Sequence, residues 1–226
     1  MNDGLRRSAA HVFVADLQNP VLDEEDQHHL SRVLRLRKGQ VVSVSDGRGA
    51  WRVCEWRADE LVPVGDVVSA PSAGASLAVA LSPVKGDRTD WAVEKLVEVG
   101  IDRIIVLSPV ERSVVKWDDA KAGAHIDRYR RIARSAASQC RRVWLPAVDG
   151  PVSLGDVLAL AGTAIAEPGG ARDLTGITTV VVGPEGGFTE NEVAGARATV
   201  DLGGNILRAD TAAVVAATLM VAHSRR

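Results

Sequence analysis

The sequence predicts a two-domain chain, a small β-barrel-like module followed by a parallel α/β domain, and three observations carry that reading. Its 226 residues suffice for one large domain or two modest ones. Residues 69–76, SAPSAGAS, are small and include Pro and Gly between regions of different character, which marks a linker and sets domains at 1–70 and 76–226. Beyond the linker, strand-like and helical runs alternate, the signature of a parallel sheet.

Before the linker, β-rich runs at 11–14, 41–45, 51–56 and 61–64 surround one helical segment, 24–36, whose acidic first turn suits the helix dipole. Gly47 and Gly49 flank Arg48 between two of these runs and mark a hairpin connection. After the linker, strands at 77–81, 103–107, 163–166 and 179–182 alternate with helices at 90–99, 120–137, 154–160 and 190–198. Gly100 stands where a left-handed residue closes a helix, and Thr189 with Glu192 makes a capping box. The last helix, 212–222, is apolar almost all round, so it needs burial on more than one side, which a partner subunit would provide.

A content of 46% hydrophobic and 25% charged residues excludes a disordered or fibrous chain. The longest apolar stretch, 212–222, is 11 residues, too short to span a bilayer. No apolar run follows Arg6 and Arg7 to make a secretory signal, and the two cysteines, Cys54 and Cys140, read as reduced thiols, so a cytoplasmic location is expected. Net charge is −2, which rules out indiscriminate attraction to nucleic acid; the charge is instead clustered. Arg128, Arg130, Arg131, Arg134, Arg141 and Arg142 form a run without an acid, and Arg32, Arg35, Arg37 and Lys38 form a second cluster. Each is either a solvated face or a phosphate contact.

In open α/β sheets ligands bind beyond the carboxyl ends of the strands. No GxGxxG or GxxxxGK[ST] occurs, which argues against a nicotinamide dehydrogenase and a P-loop NTPase. The glycine-rich turn comes late, VVVGPEGGF at 180–188, where it is either an ordinary βα turn or a place for backbone to approach a ligand. A second late segment, 202–211, puts Arg208 and Asp210 two residues apart at a helix start, where a cap and a surface ion pair are the bland explanation. His28 and His29 are adjacent and lack the i,i+4 spacing of a ligand pair, and the cysteines lack CxxC spacing, so no metal is expected.

GPEGGF at 183–188, NILRADTAA at 205–213 and HHLSRVLRLRKGQ at 28–40 together resemble the RsmE family of 16S ribosomal RNA (uracil-N3)-methyltransferases, in the SPOUT superfamily. EKLVEVG at 94–100 and an arginine-bearing segment ending at Pro146 are similar to the family's pattern as well, so the likeness covers nearly the whole chain. The resemblance implies a PUA-like RNA-binding β-barrel, a SPOUT domain with a C-terminal trefoil knot, and a homodimer. It implies that S-adenosyl-L-methionine binds against Ala166, Glu167, Gly183, Pro184, Glu185, Gly186, Gly187, Leu202, Gly203, Ile206, Leu207 and Arg208. RNA, in the small ribosomal subunit, is expected on Arg6, Arg7, Arg32, Arg35, Arg37, Lys38, Arg128, Arg131, Arg134, Arg141 and Arg142. The chain departs from the family's LRTETA at Ala209, which lacks the hydroxyl, and at Asp210, which is one methylene shorter; it also has Ser138 where an acid often precedes the glutamine.

Methylating uracil N3 requires the loss of its proton, so Asp210 is read as either the base, with Glu185 as a less favoured substitute, or a helix cap, the commoner role, and Arg208 as either the stabiliser of the resulting anion or a phosphate contact. Two other readings stay open from the residues alone. An RNA-binding module without catalysis accounts for the barrel and the arginines, and a nucleotide-binding α/β protein accounts for the glycine turn.

Overall fold

The computed structural model describes residues 2–72 and 74–224, so Ala73, inside the expected linker, lies outside the described residues. The chain forms two compact units, Met1–Ala73 with Ala137–Leu145 and Gly74–Ala136 with Pro146–Arg226. The sequence division at 1–70 and 76–226 differs from these in residues 137–145, which go with the first unit.

In the first unit a short helix α1 (Asp3–Arg7) precedes five strands: β1 (Ala10–Phe13), β2 (Val41–Ser45), β3 (Ala50–Arg57), β4 (Glu60–Pro63) and β5 (Val68–Ser69). The sheet order is β1-β2-β3-β4, with β5 also on β3; β1 runs parallel to β2 and the other pairs are antiparallel. Val12, Val42, Val44, Cys54, Trp56 and Leu61 build its core together with Leu30. Gly47 and Gly49 both take positive φ, and a Cβ on Gly49 would stand 2.5 Å from the Trp144 ring, so only glycine fits there.

The single helix expected at 24–36 is shorter. Asp23 caps α2 (Glu24–His28), a π-helical turn follows over His29–Val33, and Arg35 leaves the helix with φ 51°. Leu30 is fully buried while Val33 and Leu34 face solvent, so packing holds one turn and nothing holds the next.

Segment 137–145 is tied down by groups that leave no trace in its own periodicity. Ser45 Oγ donates to Val143 O (2.9 Å), Gly49 N to Val143 O (3.0 Å) and Trp144 Nε1 to Ala70 O (3.1 Å). His11 sits at the centre of this clasp, with Nε2 3.1 Å from Arg142 O and Nδ1 2.8 Å from Ser43 Oγ. Burial lowers the His11 pKa to about 4, against a partly compensating bond to Arg142 O; the nearby Arg141 charge lowers it further.

Because the folded pKa lies below the unfolded value of 6.5, the unfolded chain takes up the proton first. This contribution to stability is therefore complete above pH 6.5 and falls by about 3 kcal/mol as pH drops to 4. Urea midpoints at pH 7.5 and 4.5 check this. The drop is expected to shrink clearly in His11→Asn, and an equal drop in both proteins would remove His11 as its source.

The second unit holds six strands, all paired in parallel: β6 (Ala78–Leu81), β7 (Arg103–Leu107), β8 (Ala147–Val152), β9 (Thr163–Ala171), β10 (Thr179–Val182) and β11 (Thr199–Val200). Helices α3 (Arg88–Val99), α4 (Asp119–Gln139), α5 (Leu154–Leu158), α6 (Glu190–Ala194) and α7 (Ala209–Ser224) intervene or follow. β6 and β10 are buried at every position, as central strands covered on both faces must be. β8, absent from the sequence reading, is an edge strand interrupted by Gly150 and Pro151, which hide its strand pattern. Gly100 closes α3 with φ 112°, and both arms of the Thr189–Glu192 capping box are made. No helix among the described residues is long and apolar enough to cross a membrane.

The sheet order is β11-β9-β10-β6-β7-β8. The chain builds β6, β7 and β8 outward on one side, then returns to lay its last three strands on the other. The loops that leave β10 and β11 therefore stand beside the second half of β9.

Candidate functional site

These three segments enclose a cleft of about 510 Å³, within the range of small-molecule sites. Ala166, Glu167 and Pro168 come from β9, residues 183–188 follow β10, and residues 201–209 follow β11. All twelve residues expected to hold a methyl donor line it: Ala166, Glu167, Gly183, Pro184, Glu185, Gly186, Gly187, Leu202, Gly203, Ile206, Leu207 and Arg208. The lining also includes Arg112, Asp201 and Phe188, which were not expected there.

The glycine turn is closed by Gly187 N donating to Pro184 O (2.9 Å). Gly187, which lines the cleft, has φ +68°, and a Cβ built on it meets no atom within 4 Å. Gly183 differs: its Cβ would stand 2.9 Å from the buried Phe188 ring, so this glycine serves core packing.

Two side chains brace the turn from outside. Arg112 Nη1 donates to Gly186 O and to Phe188 O, both at 3.1 Å. Arg88 Nη2 meets Glu185 Oε1 at 2.6 Å, which engages the carboxylate proposed as the substitute base. The capping residue Glu192 also accepts from Glu111 N (3.0 Å), which anchors the loop after β7 to the start of α6. Burial would raise the Glu192 carboxyl, but the bonds from Glu111 and Thr189 outweigh it and hold the pKa below its ordinary value. Arg112 lies 74 positions before Gly186 and carries no motif that links it to the turn.

The second loop turns at Asp201, whose Oδ1 accepts from Gly203 N (2.9 Å). Ile206 is 92% exposed although it lines the cleft, and an apolar side chain so placed lacks a cover that a ligand would supply. Helix α7 begins three residues earlier than the expected 212, so Arg208 immediately precedes it and Asp210 lies in its first turn. The bland explanation of this pair fails on both counts. Among the described residues the Arg208 side chain has no ion-pair or hydrogen-bond partner, its carbonyl accepting from Ala212 N, and Asp210 caps no backbone N–H; its Oδ1 is buried without a partner. Asp210 itself is absent from the lining, while Ala209 and Ala212 on either side of it are present.

The basic residues are divided between the two units. Arg6 and Arg7 lie exposed on α1, with Arg7 near Asp3 (3.7 Å), and Arg32, Arg35, Arg37 and Lys38 are exposed on the first unit. Arg128 is ion-paired with Asp90, Arg131 is exposed and Arg134 is half-buried, all three in the second unit. Arg141 and Arg142 are half-buried in the first unit. Arg141, expected to contact RNA, takes φ 58° and donates through Nη2 to Ser8 O (2.6 Å) and through Nε to Ser8 Oγ (3.3 Å). A run read along the sequence as one charged face is thus divided between two units because the chain leaves α4 within it. Among the described residues no group of three or more His, Cys, Asp or Glu side chains is placed to hold a metal ion.

With this geometry in place, comparison with known proteins is informative. The description "RNA methyltransferase domain" matches residues 71–221, and "RNA methyltransferase PUA domain" matches residues 22–55. Ribosomal RNA small subunit methyltransferase E of Synechocystis is 35% identical over 214 residues, covering 84% of this chain and 68% of the relative. The protein of that name from Mycobacterium bovis is 30% identical over 219 residues, covering 87% and 83%. Among solved structures, a ribosomal RNA small subunit methyltransferase E from Neisseria gonorrhoeae, bound to S-adenosyl methionine, superposes with a TM-score of 0.78 at 24% identity over 95% of this chain and 97% of that one.

Proposed function

The chain belongs to the RNA methyltransferase family represented by ribosomal RNA small subunit methyltransferase E, and from that membership we propose that it methylates N3 of a uridine in small-subunit ribosomal RNA with S-adenosylmethionine as donor. The observation that carries the reading is the cleft, where three neighbouring strands deliver a glycine turn with open space above Gly187 beside an unpaired arginine.

S-adenosylmethionine held against the Gly183–Gly187 turn and the Leu202–Arg208 loop would supply an electrophilic methyl group on a sulfonium, with a neutral thioether as its leaving group. The chain's own residues must orient the base and manage the N3 proton. Gly187 and Gly203 line the cleft without side chains, and both have positive φ and open space at Cβ. Arg208 stabilises the uracil anion that forms as N3 loses its proton, and Asp210 takes that proton, directly or through a water. Incubating the protein with tritiated donor and small ribosomal subunits that lack the modification tests the reaction. Label at N3 of one uridine is expected, and no transfer from a protein that binds donor would overturn it.

RNA recognition in this reading rests on the PUA domain match and on Arg6, Arg7, Arg32, Arg35, Arg37, Lys38, Arg141 and Arg142 of the first unit, with Arg128, Arg131 and Arg134 of the second as further contacts. Removing one phosphate-binding cation lowers the slope of log affinity against log salt by about 1. Arg32→Ala with Arg37→Ala is therefore expected to weaken RNA binding and flatten its salt dependence, with donor binding unchanged. Unchanged RNA affinity would assign the cluster to solvent.

The reading includes a homodimer. One face of α7, Ala212, Ala213, Ala216, Ala217 and Met220, is buried, while Leu219 and the Trp91 ring of α3 remain 39% and 45% exposed. Sedimentation at micromolar concentration is expected to give a dimer, and a monomer would count against it. A cytoplasmic location and a chain threaded as a trefoil knot belong to the same proposal; an experimental backbone that reduces to an unknotted line would remove the knot.

A further inference from the structure

Arg112 is tied to the glycine turn by one nitrogen only. Nη1 has two hydrogens, and they go to Gly186 O and Phe188 O. Nε and Nη2 carry the other three and have no partner among the described residues, although the residue is exposed and lines the cleft. The two Nη1 bonds, to carbonyls two residues apart, tether the guanidinium to the turn. The Nε–Nη2 edge left over is the one that matches two oxygens of a carboxylate or a phosphate.

The Glu192 carboxyl feels the Arg112 charge, but among the described residues no carboxylate is hydrogen-bonded to the Nε–Nη2 edge. Glu185 is engaged by Arg88, Asp201 lies 3.8 Å from Arg172, and Glu192 accepts from Glu111 and Thr189. Support of the turn accounts for Nη1 but does not require a cation with a second donor edge.

We propose that Arg112 is a positioning residue that binds an oxyanion of the substrates, with its Nε–Nη2 edge, while Nη1 holds the donor turn. The inference rests on the functional reading above. Two sources offer this chemistry, the carboxylate of S-adenosylmethionine and a phosphate of the RNA, and each gives a distinct result.

The test compares wild type, Arg112→Gln, which keeps a planar donor for the turn, and Arg112→Lys, which keeps the charge without the fork. Calorimetry is done with S-adenosylmethionine and with methylthioadenosine, which lacks the carboxylate; filter binding and KM are measured with RNA at saturating donor. If the donor carboxylate is the ligand, Arg112→Gln weakens S-adenosylmethionine about tenfold or more and leaves methylthioadenosine within twofold. If an RNA phosphate is the ligand, donor affinities stay put, KM for RNA rises with kcat little changed, and the salt slope of RNA binding falls by about 1. Arg112→Lys is expected to recover part of either effect through its charge. Equal weakening of both adenosine compounds with no effect on RNA would mean that Arg112 only braces the turn, and no effect on any ligand would remove it altogether; both overturn the proposal. A wild-type protein that binds neither donor nor RNA would instead sink the functional reading first.

Discussion

Gly187→Val is expected to leave the chain folded and to raise the dissociation constant for S-adenosylmethionine by about a hundredfold or more. Gly187 has φ +68°, where a β-branched residue is strained by roughly 1–2 kcal/mol. The space at its Cβ is empty of protein atoms, so the new side chain clashes with nothing until a ligand enters the cleft. A hundredfold loss is about 2.8 kcal/mol, which strain relief in an altered turn and steric exclusion together can reach. Gly183 would be a poor choice for this test, since a Cβ there displaces Phe188 from the core and confuses folding with binding.

Gly176 supplies the control. It has φ +77° and open space at Cβ, as Gly187 does, but it lies outside the cleft. Gly176→Val should cost similar stability and leave donor affinity near wild type. If calorimetry finds the two variants equally good at binding, the glycine turn is an ordinary βα connection.

The contrast between these glycines shows what was legible in the sequence. The alternation of strands and helices after residue 76, the stop at Gly100 and the Thr189–Glu192 box are local patterns, and local patterns record which face of an element is buried. The twelve expected residues among those that line the cleft came from the motifs of the resemblance, and the late position of the glycine turn agreed. What stayed hidden is held by backbone carbonyls of distant residues, which impose no residue type on the partner. Arg112 reaches Gly186 across 74 positions, and Arg141 reaches Ser8 across 133. Nothing in either arginine's neighbours distinguishes a side chain that braces a turn from one that meets solvent or phosphate. The π-helical turn at His29–Val33 was hidden for a different reason: Val33 and Leu34 continue an apolar spacing that no tertiary surface uses.

Asp210→Asn is expected to lower kcat by about 10²- to 10⁴-fold, the usual contribution of a general base, with donor affinity within about twofold of wild type. The structure sharpens this test because it removes the two explanations that need no catalysis. Among the described residues Asp210 makes neither a cap hydrogen bond nor an ion pair with Arg208, and its Oδ1 is buried without a partner. A buried carboxylate oxygen left unsatisfied costs free energy, so a group that meets it only when substrate is present is the economical account. Asparagine has the same shape, and the charge it removes from the first turn of α7 is worth only about 0.3–1 kcal/mol of stability. The rate that remains should climb with pH, because a site without its own base depends on N3 losing its proton to solvent. Arg208→Lys separates the partner's role: it keeps the charge and loses the planar fork, so a rate near wild type would leave Arg208 as a point charge beside the anion. A loss smaller than about tenfold in Asp210→Asn, with no new pH dependence, would return Asp210 to a charge at a helix end and assign the proton to another group.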